Sequence, residues 1–303
     1  MQFRKAERKK AKLRLALCGP SGSGKTLSAL KIAKGIGGRV AMIDTESGSG
    51  ELYADNPNLG LEYDVMQFEP PYTPQRAIEA IQAAHRAGYD VVIFDSLSHV
   101  WMGEGGMLEM VDNAAKGMQG NSFAAWKNVR PHEKKFLEAL TRTNIHIIAT
   151  MRTKTEWTTE KDAKGKTRPV KVGLKPEQRE GLEYEFTVVF DMAIDGNIAS
   201  AGKDRTDMFK GQYFTPTEET GKQLLEWLER GEPYIPEIAT KEQNERIRGL
   251  MESMNITGEQ DQLDRVNAWL ARGNKLPVAA VEELTPSLAN DLIKKLSEGA
   301  HAQ

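Results

Sequence analysis

Apolar side chains along this chain fall into short unbroken runs, separated by stretches where they recur at helical spacing. LRLALCG, RVAMID, YDVMQF, DVVIFD and NIHIIAT (residues 13–19, 39–44, 63–68, 90–95 and 144–150) are the runs. Runs of that length, rich in Val, Ile, Leu and Phe, predict strands buried on both faces. Between them, residues 27–36 are apolar at helical spacing, and residues 75–87 place Ala77, Ile78, Ile81 and Ala84 on one helix face. Alternation of this kind predicts a mainly parallel, twisted sheet flanked by helices, an α/β core. A glycine- and methionine-rich stretch from residue 96 predicts a mobile loop followed by helices, the second of them over about 131–143. Further strands are expected over 184–194 and 207–214 with a charged turn at Lys203-Asp204-Arg205 between them, then a helix over 218–230. The proline-rich linker at 233–240 precedes three helical segments, 241–254, 259–272 and 287–298. The pattern therefore divides the chain into a basic leader (1–12), a large core (13–232), the linker, and a small all-helical domain (241–303).

Charge changes this picture locally and not globally. With 41 Lys and Arg against 43 Asp and Glu in 303 residues, attraction to a polyanion must come from patches. One patch is the leader, where seven basic residues face one acidic residue over residues 1–14; it reads as a solvated segment, a polyanion contact or a tether to a neighbouring subunit. Another is the stretch 152–179, with nine basic and four acidic residues. No apolar run is long enough to span a bilayer and the basic start lacks the apolar stretch of a secretory signal, so a cytoplasmic protein with no membrane partner is expected. The single cysteine, Cys18, ends the first strand and is expected to be a buried structural thiol.

Candidate chemistry gathers at strand ends. Gly19-Pro20-Ser21-Gly22-Ser23-Gly24-Lys25-Thr26, running into Leu27, matches the spacing G-x-x-x-x-G-K-[ST] between a strand and a helix. The glycines let successive N–H groups turn inward toward a phosphate chain, and the helix N-terminus adds partial positive charge. Lys25 is placed for the β and γ oxygens of ATP, and the Thr26 hydroxyl for Mg²⁺. Glu46 follows the second strand, beside the loop if the two strands are neighbours. Asp95 ends the fourth and would hold Mg²⁺ opposite Thr26. His146, inside an apolar run without a second ligand at metal spacing, is expected to be a satisfied buried histidine. In the basic stretch, Lys164-Gly165-Lys166 between alternating flanks predicts a hairpin. Lys154, Trp157, Lys164, Lys166, Arg168 and Lys171 could grip a phosphate backbone there, with Trp157 stacking on a base, or simply be solvated.

With the phosphate loop, IDTES, VVIFDS, IHIIATMRTKTEW and QREGLEYEFTVVFDM in view, residues 13 to about 230 resemble the RecA-like ATPase core, and most of all phage-encoded RecA-like proteins of the single-strand annealing group. The resemblance implies a RecA-like P-loop NTPase that binds and hydrolyses ATP, with Glu46 orienting the attacking water and Asp95 as the magnesium carboxylate. It implies that Lys203 and Arg205 are cationic fingers reaching the nucleotide of the next subunit in a ring or filament, and that single-stranded DNA binds the loops after Ser96 and Arg152. A single-strand-binding protein is a further candidate partner. Phe3-Arg4-Lys5-Ala6 looks like a tether between subunits. Thr150 departs from the family, which has glutamine there, and the chain lacks room for a long second DNA-binding domain. Two readings from other classes stay open on the residues: a nucleotide-switched adaptor that recruits a partner through its C-terminal helices, and a P-loop kinase of a small molecule.

Overall fold

The computed structural model describes residues 5–161, 167–232, 238–273, 275 and 277–300, with side chains described outside 155–172 and 299–300. The chain divides into two compact units, Met1–Gly231 and Glu232–Gln303.

In the first unit, eight strands lie in the order β3-β2-β4-β5-β1-β7-β8-β9. They are β1 (Arg14–Gly19), β2 (Val40–Asp44), β3 (Asp64–Gln67), β4 (Val91–Asp95), β5 (His146–Lys161), β7 (Val188–Met192), β8 (Ala199–Asp204) and β9 (Tyr213–Phe214). From β3 to β7 neighbours run parallel, while β8 and β9 are antiparallel additions at one edge. The sheet is thus mainly parallel but mixed. β6 (Thr167–Pro176) pairs antiparallel with the outer half of β5, closing the hairpin expected over 152–179.

Handedness distributes the helices. α1 (Lys25–Ile36) links β1 to β2 across the sheet in one direction, whereas α2 (Pro74–Arg86) links β3 to β4 in the other. Right-handed crossovers therefore place them on opposite faces. α1 and α6 (Glu218–Glu229) bury Leu13, Leu15, Leu17, Met42, Ile93, Ile148 and Phe190 beneath them. They approach so closely that a Cβ on Gly35 would sit 1.9 Å from the Glu218 carbonyl oxygen, and one on Gly221 2.1 Å from that of Ile32. The return from β4 to β5 runs through α3 (Ser98–Met102), α4 (Met107–Lys116) and α5 (Ser122–Arg142), with α5 packed on α2.

Four expectations are corrected. The stretch after Ser96 is largely helical, and α5 runs through Pro131 instead of starting there. Its Asn121 cap accepts the Ala124 N–H at 3.0 Å, and buried Ala125, Val129, Phe136 and Leu140 hold the helix on both sides of the proline. β2 is not next to β1: β4 and β5 lie between them, so Glu46 comes to the loop from three strands away. Lys203 lies on β8 and not in a turn, and the strand expected over 207–214 shrinks to β9. The reason is Asp204, whose carboxylate accepts the N–H groups of Thr206 and Phe209, both at 2.7 Å, and folds 205–212 into a compact loop. Finally, residues 182–185 form a turn of 3₁₀ helix, so β7 starts only at Val188.

The leader is docked from residue 8 onward. Arg8 donates to the carbonyls of Arg230 at 2.7 Å and Trp227 at 2.5 Å, and its guanidinium stacks 4.3 Å from the Trp227 ring. Those carbonyls end α6 and have no partner within the helix. Phe3 and Arg4, the first half of the expected tether, lie outside the described residues.

The second unit is helical. α7 (Lys241–Ser253), α8 (Glu259–Arg272) and α9 (Pro286–Ala300) pack Ile247, Met251, Val266, Leu270, Leu284 and Leu292 into one small core. Thr240 and Gln243 form a capping box at the start of α7.

His146 is a satisfied buried histidine. Its Nδ1 accepts the Leu13 N–H at 3.1 Å, and burial, with Lys12 and Arg14 nearby, pushes its pKa from 6.5 down to about 3. Above pH 6.5 both folded and unfolded chains carry it neutral. Below, only the unfolded chain takes up its proton, so stability falls with pH until about 3, by roughly 1.4 kcal/mol per pH unit at most. In chemical denaturation between pH 6.5 and 4.5, replacing His146 by Gln should remove about one proton from the pH slope of stability; an unchanged slope would contradict the buried neutral imidazole.

Candidate nucleotide site

The site lies where the carboxyl ends of β1, β4 and β5 meet the start of α1. Gly22 and Gly24 both take φ of +79°, the left-handed region, which turns the loop backbone around its own centre. No side chain caps α1 and no acidic residue occupies its first turn, so the N–H groups at this helix start face the loop. That is an anion cradle, and it fits a phosphate chain. The Lys25 ammonium folds back onto the Pro20 carbonyl at 2.8 Å, as does the Ser23 hydroxyl. Burial lowers the Lys25 pKa, an effect opposed by the charges of Asp95 and Glu46.

Asp95 is 2% exposed. Its Oδ2 accepts the Thr26 hydroxyl at 2.6 Å, and its Oδ1 accepts the Thr150 hydroxyl. Burial raises its pKa, and these two hydrogen bonds work against that rise. A hydroxyl and a carboxylate converging on one point are hard oxygen donors, a set that suits Mg²⁺ completed by water and phosphate oxygens. Among the described residues no cluster of three or more His, Cys, Asp or Glu could hold a metal by itself.

Glu46 reaches this point along the turn after β2. Its N–H donates to Asp44 Oδ1 at 2.6 Å, and its carboxylate forms a two-point ion pair with Arg152, one contact being Nε to Oε1 at 2.9 Å. Burial alone would raise the Glu46 pKa; hydrogen bonds from Arg152 and its charge outweigh burial, and the net shift is downward. Arg152 stands opposite Gly19 in the β1–β5 register, at the root of the β5–β6 hairpin, and its N–H donates to Ser98 Oγ at 2.9 Å. Behind Glu46, the Thr45 hydroxyl accepts the Ser96 N–H at 2.7 Å and lies 2.6 Å from His99 Nδ1, whose ring stacks on Tyr72.

The structure therefore brings Lys25, Thr26, Glu46 and Asp95 together. It does not bring Lys203 or Arg205 to them. Lys203 is level with Ala16 through Val189, well before Gly19, and it donates to the carbonyls of Glu183 at 2.8 Å and Tyr184 at 2.7 Å. Arg205 also donates to Tyr184. Of the hairpin candidates, Lys154 is exposed on β5. Trp157 stands opposite Lys171 and Glu160 opposite Arg168 in the backbone register. The side chains of Trp157, Arg168 and Lys171, and the whole of Lys164 and Lys166, lie outside the described residues.

Three contributors were missed as parts of the site: Arg152, counted only as hairpin charge; Thr150, noted only as a departure from glutamine; and Asn197. The Asn197 side chain donates to the Gly22 carbonyl at 3.2 Å and fills the space that a Cβ on Gly24 would need, 2.8 Å from its Cγ. Arg152 and Thr150 could have been suspected from their alternation past the end of an apolar strand. Nothing in the sequence signals Asn197.

Comparison with known proteins agrees with the loop. No curated protein matches the chain. Among solved structures it is similar to the ATP synthase subunit NeqB of Nanoarcheaum equitans, at 8% identity over 98% of this chain and 78% of that one, with a TM-score of 0.40. A sequence profile of the AAA domain matches residues 11–222, more than half of the chain and the whole of the sheet with its phosphate loop. The chain belongs to the AAA domain family and is a P-loop NTPase, a class that binds and hydrolyses nucleotides, usually with Mg²⁺.

Proposed function

We propose that this protein is a RecA-like ATPase that cleaves the β–γ bond of ATP and acts on single-stranded DNA, in strand annealing or recombination, as a homo-oligomer. The observation that carries the hydrolytic part is the convergence of Lys25, Thr26, Asp95 and Glu46 from three strand ends onto one cradle. The loop N–H groups and Lys25 would hold the phosphates, and Thr26 with Asp95 would hold Mg²⁺, which supplies charge neutralisation at the β and γ oxygens. Glu46 would accept a hydrogen bond from the attacking water and aim it in line. For that, one carboxylate oxygen must be free of Arg152. The departing diphosphate keeps its contacts with the loop, and charge stabilisation of this preorganised kind contributes several kcal/mol in other enzymes. Lys203 and Arg205, remote from the cradle of their own chain, would act only on a neighbouring copy.

The DNA part rests on the basic β5–β6 hairpin and on its root. Arg152 N–H is tied to Ser98, its carbonyl accepts the Glu177 N–H at 2.7 Å, and the Gln178 side chain donates to the Leu97 carbonyl at 3.0 Å. Both strands of the hairpin are thereby anchored next to Asp95 and Glu46.

Lys25→Ala should abolish ATP turnover, and Glu46→Gln should cut kcat at least a hundredfold while leaving ATP binding within a few-fold. Turnover unchanged in Lys25→Ala defeats the hydrolytic reading, and an indifferent Glu46→Gln points to the adaptor instead. Binding to a fluorescent single-stranded oligonucleotide should weaken steeply with salt, and the slope of log affinity against log salt should flatten on replacing Lys164, Lys166 and Arg168 by Ala. Binding insensitive to salt removes the DNA partner. Glu46 works ionised, and Arg152 holds its pKa low, so the wild-type rate should fall only well below pH 4.5. In Arg152→Gln the acid limb of kcat/KM should move to higher pH, and an unmoved limb would show that Glu46 is not the titrating base.

A further inference from the structure

Apart from Thr26 at the start of α1, the side chains assigned to the metal and the attacking water lie on one side of the phosphate loop. Asp95, Thr150, Arg152 and Glu46 come from β4, β5 and the turn after β2, which is the β5 flank of β1. This flank therefore receives the γ end of a bound triphosphate. A nucleotide is a linear ligand, so its other end must leave on the opposite flank, where β7 is the neighbour of β1. The chain that follows β7 is a tight turn built against the loop. Ala193 N–H donates to the Ile198 carbonyl at 2.8 Å and Asn197 N–H to that of Ile194 at 3.3 Å, while the Thr215 hydroxyl, just past β9, donates to the Gly196 carbonyl at 3.1 Å. Asn197 reaches from this turn to the Gly22 carbonyl and packs on Gly24. On either side of Asn197, Ile194 and Ile198 are 60% and 38% exposed although both could have been polar at a surface turn.

We propose that the β7–β8 turn is the nucleoside end of the site: Ile194 and Ile198 form an apolar shelf for the flat face of a purine base, and Asn197 braces the phosphate loop at the junction between base and phosphates. The inference rests on the nucleotide reading above. It gives the fold's otherwise unpaired apolar turn one occupant, chosen by its continuity with the phosphate cradle and by the direction the triphosphate must take. The Asn197 brace turns the Gly22 carbonyl outward, which leaves the neighbouring N–H groups to the ligand. The shelf is preformed by backbone hydrogen bonds, so it can add binding without an ordering cost.

Calorimetric titration of the full chain with ADP and, separately, with pyrophosphate in Mg²⁺ separates the two halves of the ligand. Ile194→Ser, and Ile194→Ser with Ile198→Ser, should weaken ADP about tenfold or more while pyrophosphate stays within twofold; retained pyrophosphate binding also shows that the loop is folded. Asn197→Ala should weaken both ligands by a similar factor. ADP affinity unchanged in the double variant overturns the shelf, as does an equal loss of ADP and pyrophosphate in the exposed single variant Ile194→Ser. Loss of neither ligand in Lys25→Ala would instead defeat the phosphate-loop reading beneath it.

Discussion

A carboxylate almost sealed from water, Asp95, is the fixed point of this structure. Burying a charge costs several kcal/mol unless hydrogen bonds and opposite charge compensate it. Here the compensation comes from two separate parts of the chain: the Thr26 hydroxyl and the neighbouring Lys25 ammonium at the start of α1, and the Thr150 hydroxyl from β5. Each of these sits where it does only if β1, β4 and β5 are in register and α1 starts at Lys25. The electrostatic requirement of one side chain is thus met by the same alignment that closes the hydrophobic core.

That alignment also explains why β5 lies between β1 and β4. An inserted strand lets Thr150 approach Asp95 from one side while Arg152, two residues on and on the same face, stands opposite Gly19. Glu46 then meets Arg152 across the strand ends. There the opposite charges satisfy one another. Lys25 does the same by donating to Pro20.

Much of this was legible in the sequence. Four of the five apolar runs became buried strands, while β3 is largely exposed at the sheet edge, and the phosphate loop, Glu46 and Asp95 stood at the ends of buried runs. Strand order was not legible, because parallel strands joined by long crossovers leave no local trace of which neighbours they choose; hence Glu46 comes from three strands away. Pro131 was misread because a helix with apolar anchors on both sides, Val129 and Phe136 among them, outweighs the local cost of one missing N–H. The extent of β8 was hidden by charge: Lys203 and Asp204 look like a turn until Asp204 is seen to gather the N–H groups of the loop that follows. Arg152 was visible only as one of nine basic residues, since an ion pair with a carboxylate some hundred residues earlier has no sequence signature.

The alternation along β5 sets how this protein can vary. Ile148, Thr150 and Arg152 share one face because successive strand residues point to opposite sides. One residue inserted or removed before Arg152 would turn Met151 toward Asp95 and swing the guanidinium away from Glu46. Beyond the root, where Glu177 closes on Arg152, added or lost pairs of hairpin residues change nothing at the nucleotide. Hairpin length is therefore free to drift and to fit whatever it meets, while the few strand residues beneath it are fixed in number. A lineage of such proteins would diverge by lengthening and recharging its hairpin over an unaltered root.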